Sequence, residues 1–141
     1  MSSTDTIVRW GARMSVVALV VDDSMVIRHT ICRFLEERGY AVEIASNGRE
    51  AMEIASRTVP GLIITDMQMP TMSGSELITA LKSKPETAGI PIIILTGHSS
   101  GYDRGEARAE FTIFKDIDIQ EQLDQALKAL AKKTKAQASG N

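Results

Sequence analysis

Polar side chains that can do chemistry follow four of the short apolar runs in this 141-residue chain. Two carboxylates, Asp22 and Asp23, follow the first run, and a third, Asp66, follows a later one. A hydroxyl residue, Thr96, and an ammonium residue, Lys115, follow two further runs. Carboxylate oxygens are ligands that Mg²⁺ prefers, and an aspartate can act as a nucleophile toward phosphorus. The residue types therefore favour phosphoryl chemistry supported by a divalent metal.

The apolar runs have the length of β-strands, and the segments between them have helical periodicity. The five predicted strands cover residues 16–21, 40–45, 62–65, 91–95 and 111–114. The first, third and fourth runs are apolar at nearly every position, as expected for strands covered on both faces of a parallel sheet. Strands that alternate with helices predict an α/β fold with a doubly wound, five-stranded parallel sheet.

Capping residues mark several of the predicted helix boundaries. Gly39 can end the first helix, and Asn47 is placed to begin the second. Either Ser73 or Ser75 can begin the third helix, which should end before Pro85.

The segment between the fourth and fifth strands is poor in helix-forming residues. Gly97, Gly101 and Gly105 each disfavour a helix by roughly 1 kcal/mol relative to alanine. We therefore predict that the fourth helix is weak or irregular.

A parallel sheet brings the carboxyl ends of its strands to one edge, where open α/β sheets bind their ligands. The five polar residues named at the outset are therefore expected to converge. Three carboxylates at close range repel one another unless a cation neutralises them, and Mg²⁺ together with the Lys115 ammonium would do so. Asp66 follows a central strand and is the predicted nucleophile, which would form an acyl phosphate.

Length and composition exclude several other classes of protein. One domain is expected at this length, and 43% hydrophobic with 24% charged residues is typical of a folded chain. The net charge of 16 − 18 = −2 gives no basic surface for nucleic acid. Apolar runs fall far short of the roughly 20 residues that span a membrane, and a single cysteine fits the reducing cytoplasm. We divide the chain into a flexible lead (1–15), a domain (16–133) and a polar tail (134–141).

The ordered set of motifs resembles the receiver domains of response regulators, of the CheY-like type. The resemblance extends over about residues 16–133. The matching segments are Val20-Val21-Asp22-Asp23-Ser24, Ile63-Ile64-Thr65-Asp66-Met67-Gln68-Met69-Pro70 with Gly74, Ile94-Leu95-Thr96-Gly97 and Phe114-Lys115. Each segment is weak evidence by itself, but their order is specific. The resemblance implies a flavodoxin-like sheet with strand order 2-1-3-4-5, in a free-standing receiver domain.

The same resemblance implies a metal site and its ligands. Asp66 would be the phosphoacceptor and a metal ligand, while Asp22 and Asp23 would hold Mg²⁺ directly or through water. The backbone carbonyl of Gln68 would be a further ligand.

Partners and roles in phosphotransfer are also implied by the resemblance. Thr96 and Lys115 would hold the phosphoryl group that Asp66 receives. The donor would be a phosphohistidine on a histidine kinase or a histidine phosphotransfer protein, and a downstream target protein would sense the result. Such a domain catalyses only its own phosphotransfer and dephosphorylation, so it is a switch and not an enzyme that turns over a substrate.

Three departures from the family pattern affect the predicted switch. Asp116 follows Lys115 where the family usually has a cis proline, and a non-proline cis bond costs about 2.5 to 4 kcal/mol, so a trans bond is expected. Thr112 stands where an aromatic switch residue is usual. The glycine-rich interval from Thr96 to Lys115 is shorter than usual, which alters the usual output surface.

Two rival functions remain open on the sequence. The departures at Thr112 and Asp116 weaken the switch and not the acceptor, so the domain could bind partners independently of phosphorylation. A phosphatase of the haloacid dehalogenase type also uses an aspartate nucleophile. That class places an Asp-x-Asp pair after one strand, whereas Asp22 and Asp23 are adjacent and Asp66 follows another strand.

Overall fold

The structure, a computed structural model, describes residues 16–69, 71–97 and 108–140, with the backbone alone for 133–140. Five strands lie within these residues. They are β1 (Val17–Val21), β2 (Ala41–Ala45), β3 (Leu62–Asp66), β4 (Ile92–Thr96) and β5 (Phe111–Phe114). Each strand begins and ends within one residue of a predicted run, because short runs rich in branched apolar residues favour extended backbone.

All five strands form one parallel sheet in the order β2-β1-β3-β4-β5. This confirms the predicted α/β fold and its flavodoxin-like strand order. The register also aligns the strand ends, since Val21 pairs with Thr65. Asp22 and Asp66, which come next along the two strands, are thereby placed side by side.

Five helices lie within the described residues. They are α1 (Met25–Glu37), α2 (Gly48–Thr58), α3 (Gly74–Lys82), α4 (Pro85–Ala88) and α5 (Ile119–Gly140). The predicted caps are present: the Asn47 side chain accepts from Glu50 N–H, and Ser73 forms a reciprocal capping box with Glu76. Of the two candidate serines, Ser73 therefore begins α3. Gly39, predicted to end the first helix, follows α1 with a φ of 92° that favours glycine.

The short helix α4 was not predicted. Helix α3 ends before Pro85, as expected, but the chain then makes one further helical turn with this proline at its start. Proline suits that position because its fixed φ is helical and its missing N–H has no partner there to lose. The buried Thr87 hydroxyl donates to the Leu81 carbonyl at 2.6 Å and ties the turn to α3.

Two apolar clusters lie on opposite faces of the sheet. Strand β1 contributes Leu19 and Val21 to one cluster and Ala18 and Val20 to the other, in the alternation expected of a strand. Helices α2 and α3 cover the first face, and α1 and α5 cover the second. Strands β3 and β4 are buried throughout and β1 nearly so, whereas the edge strands β2 and β5 are partly exposed. The prediction that the central strands are covered on both faces is confirmed.

Some predictions concern residues outside the described part of the chain. The lead (1–15) lies there, and so does most of the segment for which a weak or irregular fourth helix was predicted, including Gly101 and Gly105. At the other end, α5 continues through residues 134–140, which the sequence analysis assigned to a polar tail. The domain boundaries therefore stay predictions.

In the described ranges, no helix has both the length and the apolar character that crossing a bilayer requires.

Candidate functional site

Three acidic side chains meet at the carboxyl-terminal edge of the sheet. Oxygen atoms of Asp22, Asp23 and Asp66 all lie within 4.8 Å of one another. Asp22 is fully buried and Asp66 is only 4% exposed, whereas Asp23 faces solvent. The structure thus brings together the three carboxylates that the sequence placed after two separate strands.

Backbone groups at the start of α1 hold Asp22 in place. Its Oδ1 accepts a 2.7 Å hydrogen bond from Ser24 N–H, and Ser24 is itself the cap of α1. The guanidinium of Arg28, one turn into that helix, donates from Nη1 to the Asp22 carbonyl at 3.0 Å. The position of this buried carboxylate is therefore determined by the β1–α1 turn.

Asp66 is held in a similar way by the loop that follows β3. Its Oδ1 accepts from Gln68 N–H at 3.2 Å, and the loop closes through a 3.0 Å bond from Gly74 N–H to the Met67 carbonyl. A Cβ atom at Gly74 would lie 2.5 Å from the Asp66 carbonyl oxygen and 2.8 Å from Met67 Cα. Only glycine therefore allows α3 to begin this close to the acidic cluster.

Lys115 connects the fifth strand to the carboxylates. Its Nζ lies 2.9 Å from Asp66 Oδ2 and 3.1 Å from Asp22 Oδ2. Its backbone N–H donates to the Thr96 carbonyl at 2.9 Å, which extends the β4–β5 ladder by one residue. No cis peptide bond occurs among the described residues, so the expected trans bond between Lys115 and Asp116 is confirmed. Lys115 thus reaches both carboxylates although Asp116, and not a proline, follows it.

Burial and charge shift the pKa values of two of these groups. Removal from water raises the pKa of Asp22, and repulsion from Asp66 adds to this, although the Ser24 hydrogen bond and Lys115 oppose it. Burial by itself would lower the pKa of Lys115, but its hydrogen bond to Asp66 and the attraction of both carboxylates outweigh that effect and raise it. The lysine is therefore an ammonium at neutral pH, while the protein alone does not fully compensate the charge of Asp22.

One atom of the cluster lacks a suitable hydrogen-bond partner. Asp22 Oδ2 is buried and receives no well-aligned hydrogen bond from the described residues, although the Lys115 charge lies 3.1 Å away. A buried carboxylate oxygen in this state costs free energy that a bound cation would recover. The donor set of carboxylate oxygens suits a hard divalent ion such as Mg²⁺. The residues present therefore fit the metal that the sequence analysis expected.

The remaining predicted site residues lie at the same edge. Thr96 ends β4 and is buried, one residue beyond Leu95, which pairs with Asp66. Its hydroxyl contacts the Gly97 carbonyl at 3.4 Å. Gln68 is exposed and binds Asp66 through its N–H, while the role of its carbonyl as a metal ligand stays a prediction. The roles of Thr96 and Lys115 toward a phosphoryl group also stay predictions.

Arg28 is the residue of this site that sequence reasoning missed. The sequence analysis gave it no role. The sequence did contain a signal for it. Arg28 lies four residues after Ser24, and residues four apart lie on the same face of a helix, so Arg28 is on the face that begins beside Asp22.

Comparison with known proteins agrees with this geometry. The family model described as the response regulator receiver domain matches residues 18–128. Response regulator MprA of Mycolicibacterium vanbaalenii is 33% identical over 124 residues, which cover 86% of this chain and 52% of that protein. The corresponding protein of Mycobacterium ulcerans is 34% identical over 125 residues, which cover 86% and 53%. The chain thus spans about half the length of these curated relatives.

Solved structures show the same similarity. The chemotaxis response regulator CheY4 of Vibrio cholerae superposes with a TM-score of 0.74 at 33% identity, covering 82% of this chain and 98% of that one. The receiver domain of a signal transduction histidine kinase from Syntrophus aciditrophicus gives 0.72 at 34% identity, covering 83% and 91%. With the fold, the acidic cluster and the family match in agreement, this chain belongs to the response regulator receiver domain family.

Proposed function

We propose that this chain is a phosphoacceptor switch of a two-component or phosphorelay system, phosphorylated on Asp66 in the cytoplasm. The donor is a phosphohistidine on a histidine kinase or a histidine phosphotransfer protein, and the product alters binding to a downstream target protein. The observation that carries the proposal is the Asp66 carboxylate, held at the sheet edge with Lys115 Nζ 2.9 Å from one oxygen. Two further carboxylates beside it form the ion site that such a transfer requires.

Asp22, Asp23 and Asp66 would hold Mg²⁺, with the Gln68 carbonyl as a further ligand. When bound, the ion would neutralise the clustered carboxylates and a phosphoryl oxygen of the donor. The fully buried Asp22 has a fixed position in the site, because Ser24 N–H donates to its carboxylate and Arg28 donates to its backbone carbonyl. Asp23, which is exposed, is free to adjust to the ion.

In the transfer, a carboxylate oxygen of Asp66 attacks the phosphorus atom of the donor. The new bond joins that oxygen to phosphorus, and the bond from phosphorus to the donor imidazole nitrogen breaks, so that the imidazole leaves and takes a proton from solvent. Lys115 would balance the negative charge on the phosphoryl oxygens, and the Thr96 hydroxyl would donate a hydrogen bond to one of them. The Gln68 N–H keeps the Asp66 carboxylate oriented throughout.

Chemical phosphorylation of the purified chain tests this proposal. With Mg²⁺ and acetyl phosphate, intact-mass analysis should detect one added phosphoryl group that is lost in alkali, as expected of an acyl phosphate. Asp66→Asn keeps the size of the side chain but removes the nucleophile, so it should not be labelled. Asp124→Asn is the matched control, because Asp124 is a partly exposed residue of α5 that pairs with Lys128 and Arg38 and is not part of the acidic cluster. Labelling that persists in Asp66→Asn contradicts the assignment.

A second candidate is partner binding that does not depend on phosphorylation. It is favoured by Thr112, which lies partly buried in β5 where receivers usually carry an aromatic switch residue. Beryllofluoride, which stands in for the phosphoryl group on Asp66, distinguishes the two candidates. A partner whose affinity changes with beryllofluoride supports the switch, and a partner that binds the free chain, the beryllofluoride form and Asp66→Asn equally supports the second candidate.

A further inference from the structure

A cavity lies between helix α1 and the edge strand β2, beside the start of α1. Its volume is about 380 Å³, and small-molecule sites in proteins typically measure about 300–1,000 Å³. Neither Lys115 nor any of the three clustered carboxylates lines it. Six of the residues that line it carry the argument below: Arg28, His29, Cys32, Arg33, Val42 and Ile44.

The floor of this cavity is apolar and uncharged. Val42 and Ile44 lie on the same face of β2, and Ile44 is 48% exposed because β2 is the outermost strand of the sheet on this side. Cys32 packs partly buried against the same core cluster as Val42. Burial raises the pKa of its thiol, and Glu36 adds to this while Arg28 opposes it, so the thiol is neutral at pH 7. An apolar group that covered this floor would gain free energy.

The rim of the cavity carries more positive than negative charge. Arg28 and Arg33 line it, and Glu36 is the acidic residue of the lining, so the net charge is 2 − 1 = +1 with His29 neutral. Arg33 also has a partner in Glu37, but the two charges are 3.8 Å apart and both side chains are more than 60% exposed. Such a pair contributes little and leaves Arg33 available to a ligand.

Arg28 is held in place but keeps its charge. Its Nη1 donates to the Asp22 carbonyl, which is a neutral acceptor, and the ion pairs formed by the described residues do not include Arg28. A guanidinium has five N–H donors in a rigid plane, so several remain for an anion. The hydrogen bond to Asp22 restricts the side chain beforehand, which lowers the entropy that a ligand must overcome.

We propose that this cavity binds a small organic anion, such as a carboxylate with an aliphatic chain. The apolar body lies on Cys32, Val42 and Ile44, and the anionic group is bound by the two guanidinium groups of the rim. The occupant is a small molecule, because one stripe of α1 and two side chains of β2 are far fewer than the 20–30 residues that a protein partner typically covers. Binding requires neither Asp66 nor Mg²⁺, so the site stands independently of the phosphorylation proposed above.

Alkylation of Cys32 reports whether the cavity is occupied, because this residue is the only cysteine of the chain and lies on the floor. The rate of modification by iodoacetamide, a neutral reagent, can be followed by intact-mass analysis of the whole chain. Octanoate should slow the reaction severalfold and in a saturable way. Acetate has the charge without the apolar body, 1-octanol has the chain without the charge, and each should protect much less at the same concentration.

A rate that octanoate leaves unchanged or increases would overturn the proposal. Equal protection by octanoate and 1-octanol would overturn it as well, because the cavity would then not select an anion.

Two variants test the charge and the floor separately. Arg33→Gln removes one guanidinium from the rim, so protection should require a severalfold higher concentration of octanoate. Ile44→Glu places a carboxylate on the floor at a half-exposed position and should abolish protection. Arg57→Gln, at an exposed position of α2 outside the cavity, is the control and should be protected like the wild type.

Each variant is compared with itself in the presence and absence of octanoate, so a change in the intrinsic reactivity of Cys32 does not affect the result. Protection that is the same in Arg33→Gln and Ile44→Glu as in the wild type would place octanoate elsewhere on the protein and overturn the assignment of this cavity.

Discussion

At the carboxyl-terminal edge of the sheet, three carboxylates and one ammonium lie within a few ångströms of one another, whereas an apolar cavity lies at the amino-terminal edge of the same strands. The difference follows from the direction of the chain. After β1 and β3 the chain turns toward the start of a helix, where N–H groups without helical partners can bind anionic side chains. Ser24 N–H, at the cap of α1, binds Asp22 here, and Gln68 N–H, in the loop that leads to α3, binds Asp66. The carboxyl-terminal edge of a parallel sheet thus offers N–H groups that hold carboxylates in place, which the apolar cavity at the other edge does not.

The two edges should also differ in how they tolerate added volume, and this is the largest effect that we predict. The Cβ atom of Gly74→Ala would clash with the backbone of Asp66 and Met67. That backbone cannot move without displacing the Asp66 carboxylate, so we expect the free energy of unfolding to fall by about 3 kcal/mol. Gly61→Ala at the amino-terminal edge would meet only the end of the half-exposed Val16 side chain, and should cost less than about 1 kcal/mol. Urea unfolding measures both.

Gly89→Ala is the control for that pair. A Cβ atom there has no neighbour within 4 Å and the backbone is already right-handed, so a change within about 0.5 kcal/mol is expected. Equal losses for Gly74→Ala and Gly61→Ala would mean that the loop after β3 yields as easily as an exposed side chain.

Magnesium should act on the carboxyl-terminal edge alone. A ligand that binds only the folded chain at a hundredfold excess over its dissociation constant raises the free energy of unfolding by about 2.7 kcal/mol. We expect Mg²⁺ to stabilise the wild type in this way, and Asp23→Asn to weaken the effect because one oxygen ligand is lost. Urea unfolding in Mg²⁺ and in EDTA measures this increase in the free energy of unfolding. The control is Asp124→Asn, which should be stabilised by Mg²⁺ as much as the wild type.

Without metal, Asp22 should lower stability as pH rises. Its pKa is raised in the folded chain by burial and by Asp66, so between its ordinary value of 3.8 and the raised value the folded state holds the extra proton. The contribution of Asp22 to stability therefore falls as pH rises through that window and stays low above it. In EDTA at pH 7, Asp22→Asn should stabilise the chain by about 1 kcal/mol, because the uncompensated charge is removed while the Ser24 hydrogen bond has an acceptor.

The comparison between the wild type and Asp22→Asn isolates this effect from other acidic groups. Their difference in unfolding free energy, measured in EDTA, should grow as pH rises from 4 to 7. In Mg²⁺ the order should reverse, since the variant lacks a ligand. A difference that stays constant with pH would contradict the raised pKa.

The smallest predicted effect concerns Gln122, which binds the backbone of β5 on its outer side, at the carboxyl-terminal end of the strand. Its side-chain amide donates to the Phe114 carbonyl at 2.9 Å and accepts from Phe114 N–H at 3.0 Å, in the manner of a neighbouring strand. Gln122→Ala should cost about 1 kcal/mol in urea unfolding because the Phe114 N–H and carbonyl lose their bonds to Gln122, although the carbonyl keeps the 3.3 Å bond from Ile117 N–H. Gln125→Ala, at an exposed position of the same helix, is the control and should change little. Full phosphoryl labelling of Gln122→Ala is expected, since Lys115 keeps its own bond to Thr96.

Much of the fold could be predicted from the sequence because it depends on local patterns. Branched apolar runs give the strands, and Asn47 and Ser73 begin helices through hydrogen bonds to residues three positions away. Helix α4 could not be predicted with the same rules, because its position depends on the hydrogen bond from the Thr87 hydroxyl to the Leu81 carbonyl in the preceding helix. The strand order came from a family resemblance and not from the pattern of residues.

The sequence by itself determined which side chains could form the site and at which edge they would meet, because residue type and strand direction are local properties. Only the tertiary structure decided how those side chains are held. It buried Asp22 with one oxygen to which none of the described residues donates a well-aligned hydrogen bond. It also brought Lys115 to both carboxylates although Asp116 follows it, and it left no room for a side chain at Gly74. These features depend on distances between atoms that are far apart in the chain, and such distances are fixed only when the sheet is assembled and its faces are packed.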